Sequence, residues 1–165
     1  MSKGTMRLAL ALLLGLAAAA RPAALRAEEM SEAQTAAIRQ GVQATLDAHG
    51  RLSAAGSWEA LMRLYADEPR FRWMSNGAIV ARSVDEIRKT FLALPPGSRF
   101  ETTYQDVEIT PLAPGVAQMA APFHTRVVDS KSGGYAFGGF LTMILVERAD
   151  GWKILSGHAS SPRNR

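Results

Sequence analysis

The chain has 165 residues, with 19 Lys and Arg against 15 Asp and Glu, a formal net charge of +4, and no cysteine. Without cysteine there is no disulfide, no thiolate nucleophile and no lipid-attachment thiol, so the fold has to rest on a packed core. Four of the basic residues, Lys3, Arg7, Arg21 and Arg26, sit in or beside an N-terminal apolar segment; without them basic and acidic residues balance, which excludes the electrostatic footprint of a nucleic-acid-binding protein.

Lys3 and Arg7 precede the apolar run Leu8 to Ala20, which holds no acidic residue. It is shorter than the roughly 20 residues a bilayer span needs, so it reads as a secretion signal. Ala18-Ala19-Ala20 fits the small-x-small cleavage rule and Leu25-Arg26-Ala27 fits it less well, placing the cut between residues 20 and 27. The expected division is a signal peptide over 1–27 and one domain over 28–165, periplasmic or secreted and free of the membrane after cleavage.

Ser31 to Leu52 predicts a helix: Ser31 with Gln34 three residues on makes a capping box, and Ala33, Ala37, Ile38, Val42 and Leu46 form one apolar stripe. A second short helix is expected after Ser57, with Trp58, Leu61, Met62, Leu64 and Tyr65 on its inner face, ending at Asp67-Glu68-Pro69. Asn76-Gly77 between extended runs predicts a hairpin, and Ser83-Val84-Asp85-Glu86 caps a third helix that Pro95-Pro96-Gly97 stops. From Arg99 the apolar period switches to two. Strands are expected over Phe100 to Ile109, Val116 to Val128, Tyr135 to Arg148 and Trp152 to Ser160, joined by tight turns at Pro111 to Gly115, Asp129 to Gly134 and Ala149-Asp150-Gly151, hence antiparallel. Phe140 to Val146 is apolar on both faces, which predicts that both sides of that strand are covered.

Three local patterns carry a family resemblance. Leu64-Tyr65-Ala66-Asp67-Glu68 resembles an acidic turn before the first strand, Gly77 followed by Ser83-Val84-Asp85-Glu86-Ile87 resembles the glycine and capped helix after it, and Asp150-Gly151-Trp152-Lys153-Ile154 running on to His158-Ala159-Ser160 resembles a last strand. With the element order, the chain resembles the nuclear-transport-factor-2-like superfamily in its SnoaL-like and ketosteroid-isomerase-like branches. The resemblance implies an α+β fold: a cone-shaped, curved antiparallel sheet wrapped around three N-terminal helices, with an interior pocket and pairing of two copies through the sheet. Its members include isomerases, cyclases, dehydratases, binding proteins and oligomerisation domains, so it names no single function.

The carboxylate base of the ketosteroid-isomerase branch would fall near Trp73, which abstracts no proton. Asp106 and Glu108 read as solvent-facing strand residues. His158 is the candidate acid or base, because strict alternation puts it on one face with Trp152, Ile154, Ser156 and Ser160; the competing reading is a half-buried structural histidine. His124 and Arg126 share a face of another strand, where Arg126 would hold a carboxylate or enolate oxygen if that face is concave, and meets water if it is not. Tyr65, Trp73, Tyr104 and Tyr135 are candidate pocket aromatics, equally suited to core packing. His49 reads as a helix-end residue. Three scattered histidines make no metal site, and no cofactor is expected. The leading expectation is an exported domain binding a small hydrophobic or carboxylated molecule, with Tyr65, Trp73, Tyr104, His124 and His158 as ligand contacts. The alternatives are a cofactor-free lyase, isomerase or cyclase using His158 and Arg126, and a structural or dimerisation domain without ligand.

Overall fold

The computed structural model describes residues 30–129 and 134–162. The expected signal peptide, its cleavage site and most of the 129–134 turn therefore lie outside the described residues. Helix α1 (Glu32–Ala54) begins at the anticipated capping box: Ser31 Oγ accepts the Gln34 N–H at 3.2 Å, and Gln34 Oε1 accepts the Ser31 N–H at 2.8 Å. Its inner stripe buries Ile38, Val42 and Leu46. Thr45 Oγ1 donates to the Trp152 carbonyl at 3.2 Å and so ties the helix to the last strand.

Helix α2 (Trp58–Met62) is shorter than its apolar pattern suggests, and Ser57 makes no side-chain cap. Leu64 and Tyr65, expected on that helix, run instead beside the last strand. The Ile154 N–H donates to the Leu64 carbonyl at 2.8 Å, and the Ala66 N–H donates to the Ile154 carbonyl at 2.9 Å. A strand edge thus supplies the partners that a further helical turn would have supplied. Strands β1 (Arg72–Ser75) and β2 (Ala78–Ala81) form the hairpin, with Asn76 and Gly77 at φ 48° and 85°, the left-handed pair a two-residue turn requires. Helix α3 (Val84–Leu92) opens with Ser83 Oγ accepting the Glu86 N–H at 3.2 Å.

Five more strands follow: β3 (Arg99–Tyr104), β4 (Glu108–Ala113), β5 (Val116–Val128), β6 (Tyr135–Arg148) and β7 (Gly151–Ser160). The expected single strand from Phe100 to Ile109 is broken at Asp106, whose φ of 43° takes the chain out of the extended region, and Pro111 lies inside β4 rather than in the turn. The long β5 pairs with β4 along its first half and with β3 along its second. The sheet order is β2-β1-β7-β6-β5-β3. The sheet is curved and mixed, not wholly antiparallel as expected, because β1 pairs with β7 in parallel, Trp73 opposite Gly157 and Ser75 opposite Ala159. Local alternation carries no sign of that pairing, since about eighty residues separate the two strands.

The fold is thus α+β, with the helices against the inner face of the sheet. Phe71, Leu61, Met119, Met143, Leu145 and Ile154 are among its fully buried side chains. On β6, Leu141, Met143 and Leu145 point inward and are buried; on the outer face Phe140 is 48% exposed while Val146 is buried, so the described residues cover only part of that side.

Candidate functional site

Between the helices and the sheet lies a cavity of about 230 Å³. Its apolar wall includes Trp73, Ile87, Phe91, Phe100, Phe123 and Phe137, and its polar atoms come from His49, Tyr65, Tyr104, Ser53, Ser75 and the Thr102–Thr125 pair. The two threonine hydroxyls satisfy each other at 2.8 Å. None of the described lining residues is Asp, Glu, Lys or Arg.

Trp73 is held by its strand partner: Gly157 stands opposite it in the parallel β1–β7 pair, and the indole occupies the space a side chain there would need. The Tyr65 ring makes edge contacts with Phe71 and Trp73 at centroid distances of 5.9 and 6.0 Å, which fixes the direction of its hydroxyl. That hydroxyl meets His49 Nε2 at 3.0 Å. His49 lies inside α1, five residues before its end, with its ring turned to the cavity rather than at a helix terminus. Its Nδ1 is buried without a hydrogen-bond partner among the described residues.

Burial decides the protonation of these groups. Desolvation of the charged form lowers the His49 pKa from 6.5 to about 4, so the imidazole is neutral at physiological pH. Burial, with Tyr104 close by, raises Tyr65 well above its ordinary value, and burial pushes Tyr104 up to about 12. Both phenols therefore remain O–H donors. The Tyr104 hydroxyl has no hydrogen-bond partner among the described residues. The cavity thus presents an unpartnered phenol near a second phenol paired with a neutral imidazole, whose other ring nitrogen is buried behind it.

The other anticipated residues lie elsewhere. His158 is exposed on the outer face of the sheet. A bulge at Leu155 is the reason: Leu145 pairs with Ile154 but Ile144 with Ser156, so the alternation that buries Trp152 and Ile154 changes phase and buries Gly157 instead of His158. His124 and Arg126 are exposed on the outer face of β5, where Arg126 pairs with Glu101. The proposed strip therefore faces away from the cavity. Tyr135 is exposed and stacked on Phe137. Asp106 and Glu108 are exposed, and in the acidic turn Glu68 is taken by Arg148, whose Nε donates at 2.8 Å and whose hydrogen bonding holds the carboxyl below its usual range. Of the residues singled out from the sequence, Tyr65, Trp73 and Tyr104 come together at the cavity and His158, His124 and Arg126 do not. His49 is the residue sequence reasoning passed over; its position three residues beyond Leu46, on the apolar stripe of α1, is the signal that could have found it.

The sequence pattern of a family described as SnoaL-like domain matches residues 42–164. No curated protein matches the chain. Among solved structures it is similar to a nuclear transport factor 2-like superfamily protein from Salmonella enterica serovar Typhimurium, at 15% identity and a TM-score of 0.67 over 79% of this chain and 94% of that one. It is similar to a candidate scytalone dehydratase from Novosphingobium aromaticivorans, at 11% identity and a TM-score of 0.69 over 81% and 89%. A ketosteroid isomerase-like protein from Erwinia carotovora atroseptica shares 18% identity with a TM-score of 0.61 over 81% and 100%. At such identities the likeness carries the fold and leaves the ligand open.

Proposed function

We propose that this chain, which belongs to the SnoaL-like domain family, binds a small uncharged molecule about one substituted ring in size inside the cavity between its helices and sheet. One observation carries the reading: the cavity is walled by aromatic rings and has no charged lining residue among those described. An apolar cavity of about 150 Å³ is enough to hold benzene, and drug-sized ligands need about 300 Å³ or more. At about 230 Å³ the space is enough for one substituted ring. A carboxylate, the other ligand class the sequence suggested, would lose its hydration there without meeting a cation.

The reading is tested by titrating the protein with toluene and phenol while following thermal unfolding and tryptophan fluorescence. Saturable stabilisation is expected, lost in Ala159→Leu, which fills the cavity from β7. No saturable shift in the unaltered protein, or an equal shift in Ala159→Leu, removes the reading.

The His49–Tyr65 pair favours a second reading, acid–base chemistry on a bound carbonyl compound. A neutral imidazole of low basicity beside a phenol is suited to moving a proton without building charge in an apolar-walled site. A monocyclic β,γ-unsaturated ketone, followed by the absorbance of its conjugated isomer, is the test substrate. A rate equal to that of His49→Gln would discard catalysis and leave binding in place.

Two further proposals concern the setting. Export with cleavage between residues 20 and 27 rests on Lys3, Arg7 and the apolar run after them, and the N-terminal sequence of protein from its own cells tests it. Pairing of two copies through the outer sheet face rests on the exposed Phe140, and light scattering on the protein and on Phe140→Ser tests it.

A further inference from the structure

We propose that the polar end of the cavity, Tyr104 together with the Tyr65–His49 pair, recognises one uncharged oxygen of the ligand, so that the ligand class is a single-ring phenol or ketone rather than a hydrocarbon or a carboxylate. This rests on the binding reading above and adds the chemistry that selects the ligand.

The argument begins with hydrogen-bond accounting. The Tyr65 hydroxyl and His49 Nε2 satisfy each other at 3.0 Å. Two groups beside them remain: the Tyr104 hydroxyl, which lines the cavity without a partner among the described residues, and His49 Nδ1, buried without one. Buried polar groups in folded proteins are almost always paired, and a lone exception marks either a water or a ligand position. Here His49 Nδ1 is one such exception, and the Tyr104 hydroxyl, open to the cavity, stands near the Tyr65 member of the pair. Elsewhere on the wall, Thr102 and Thr125 are mutually bonded.

The donor and acceptor inventory then narrows the class. A phenol hydroxyl that stays protonated can accept a hydrogen bond but also has its own hydrogen to place, and a carbonyl or hydroxyl oxygen of the ligand takes it. The His49–Tyr65 bond can run in either direction, with the imidazole proton on Nε2 or on Nδ1. The pair therefore adapts to a ligand that only accepts or to one that also donates. A negative oxygen is disfavoured because no Lys or Arg lines the space among the described residues. A hydrocarbon of the same shape leaves Tyr104 unpaired, and sites built around a hydrogen bond discriminate strongly against the analogue that lacks it.

Phenol and toluene are nearly isosteric and differ in the group that Tyr104 would bind, which makes them the probes of choice, with benzoate as the charged comparison. Affinities are measured for the full chain, for Tyr104→Phe and for Tyr65→Phe. The proposal expects phenol to bind at least as tightly as toluene although water holds it better, and benzoate to bind at least about tenfold more weakly than phenol. In Tyr104→Phe the phenol-to-toluene preference should fall about tenfold while toluene affinity stays within about twofold. Toluene bound about tenfold more tightly than phenol by the unaltered protein would overturn the oxygen recognition and leave the cavity reading standing. So would a preference unchanged in both tyrosine variants. Failure of toluene and phenol alike to bind would overturn both.

Discussion

The indole of Trp73 lies against the bare Cα of Gly157, so near that a Cβ at position 157 would stand 2.2 Å from the ring. The two residues are partners in the parallel β1–β7 pairing, and the absence of a side chain on β7 lets the ring sit flat as a wall of the cavity. Gly157→Ala should therefore push Trp73 off the strand. The expected result is a loss of about 1–3 kcal/mol in stability, typical of overpacking, with a changed tryptophan emission and weaker ring-ligand binding. Urea unfolding and fluorescence spectra measure both. Unaltered stability and emission would mean the ring is not seated on Gly157.

His49 links folding to pH. Its folded pKa of about 4 lies below the 6.5 of an exposed imidazole, so as pH falls the unfolded chain takes up the proton first. The contribution to stability is complete above pH 6.5 and declines as pH falls towards 4, by at most about 3 kcal/mol for this group, after which it is flat. His49→Gln should lose that part of the slope. Urea midpoints between pH 4 and 7.5 for both proteins check it; parallel curves would show that His49 is not buried in its neutral form.

His158→Gln should change little. The side chain is exposed on the outer face of β7, beyond the bulge at Leu155, so stability is expected within about 0.5 kcal/mol and phenol affinity within about twofold. A large loss of phenol affinity would contradict the phase change that the bulge imposes.

Ser31→Ala removes the side-chain acceptor of the α1 capping box, and with it the reciprocal arrangement with Gln34. A loss of about 1 kcal/mol is expected, read from thermal or urea unfolding, with the Gly variant losing less. No change would imply that the first turn of α1 frays without consequence for the core.

The elements legible in the chain are those whose signals are local. Ser31 with Gln34, Asn76 with Gly77 and Ser83 with Glu86 each announce a cap or a turn within four residues, and each stands where its pattern places it. Period-two runs likewise announce β5, β6 and β7, and the order of elements carried the resemblance to the family. Amphipathic aromatics at Tyr65, Trp73 and Tyr104 were legible as candidates for a pocket wall, though whether they packed a core or lined a space was not.

Three things were decided only by tertiary structure. The parallel docking of β1 on β7 joins segments about eighty residues apart, and backbone hydrogen bonding between strands leaves no mark on either strand's own sequence. The bulge at Leu155 inserts one residue into the alternation, and a single inserted residue moves every later side chain to the opposite face, which carried His158 outward. His49 became part of a site because the segment Leu64–Ala66 left the helix to lie along β7 and brought the Tyr65 hydroxyl to it. Sequence determined which residues could bear polar chemistry; packing at long range determined which of them face the same space.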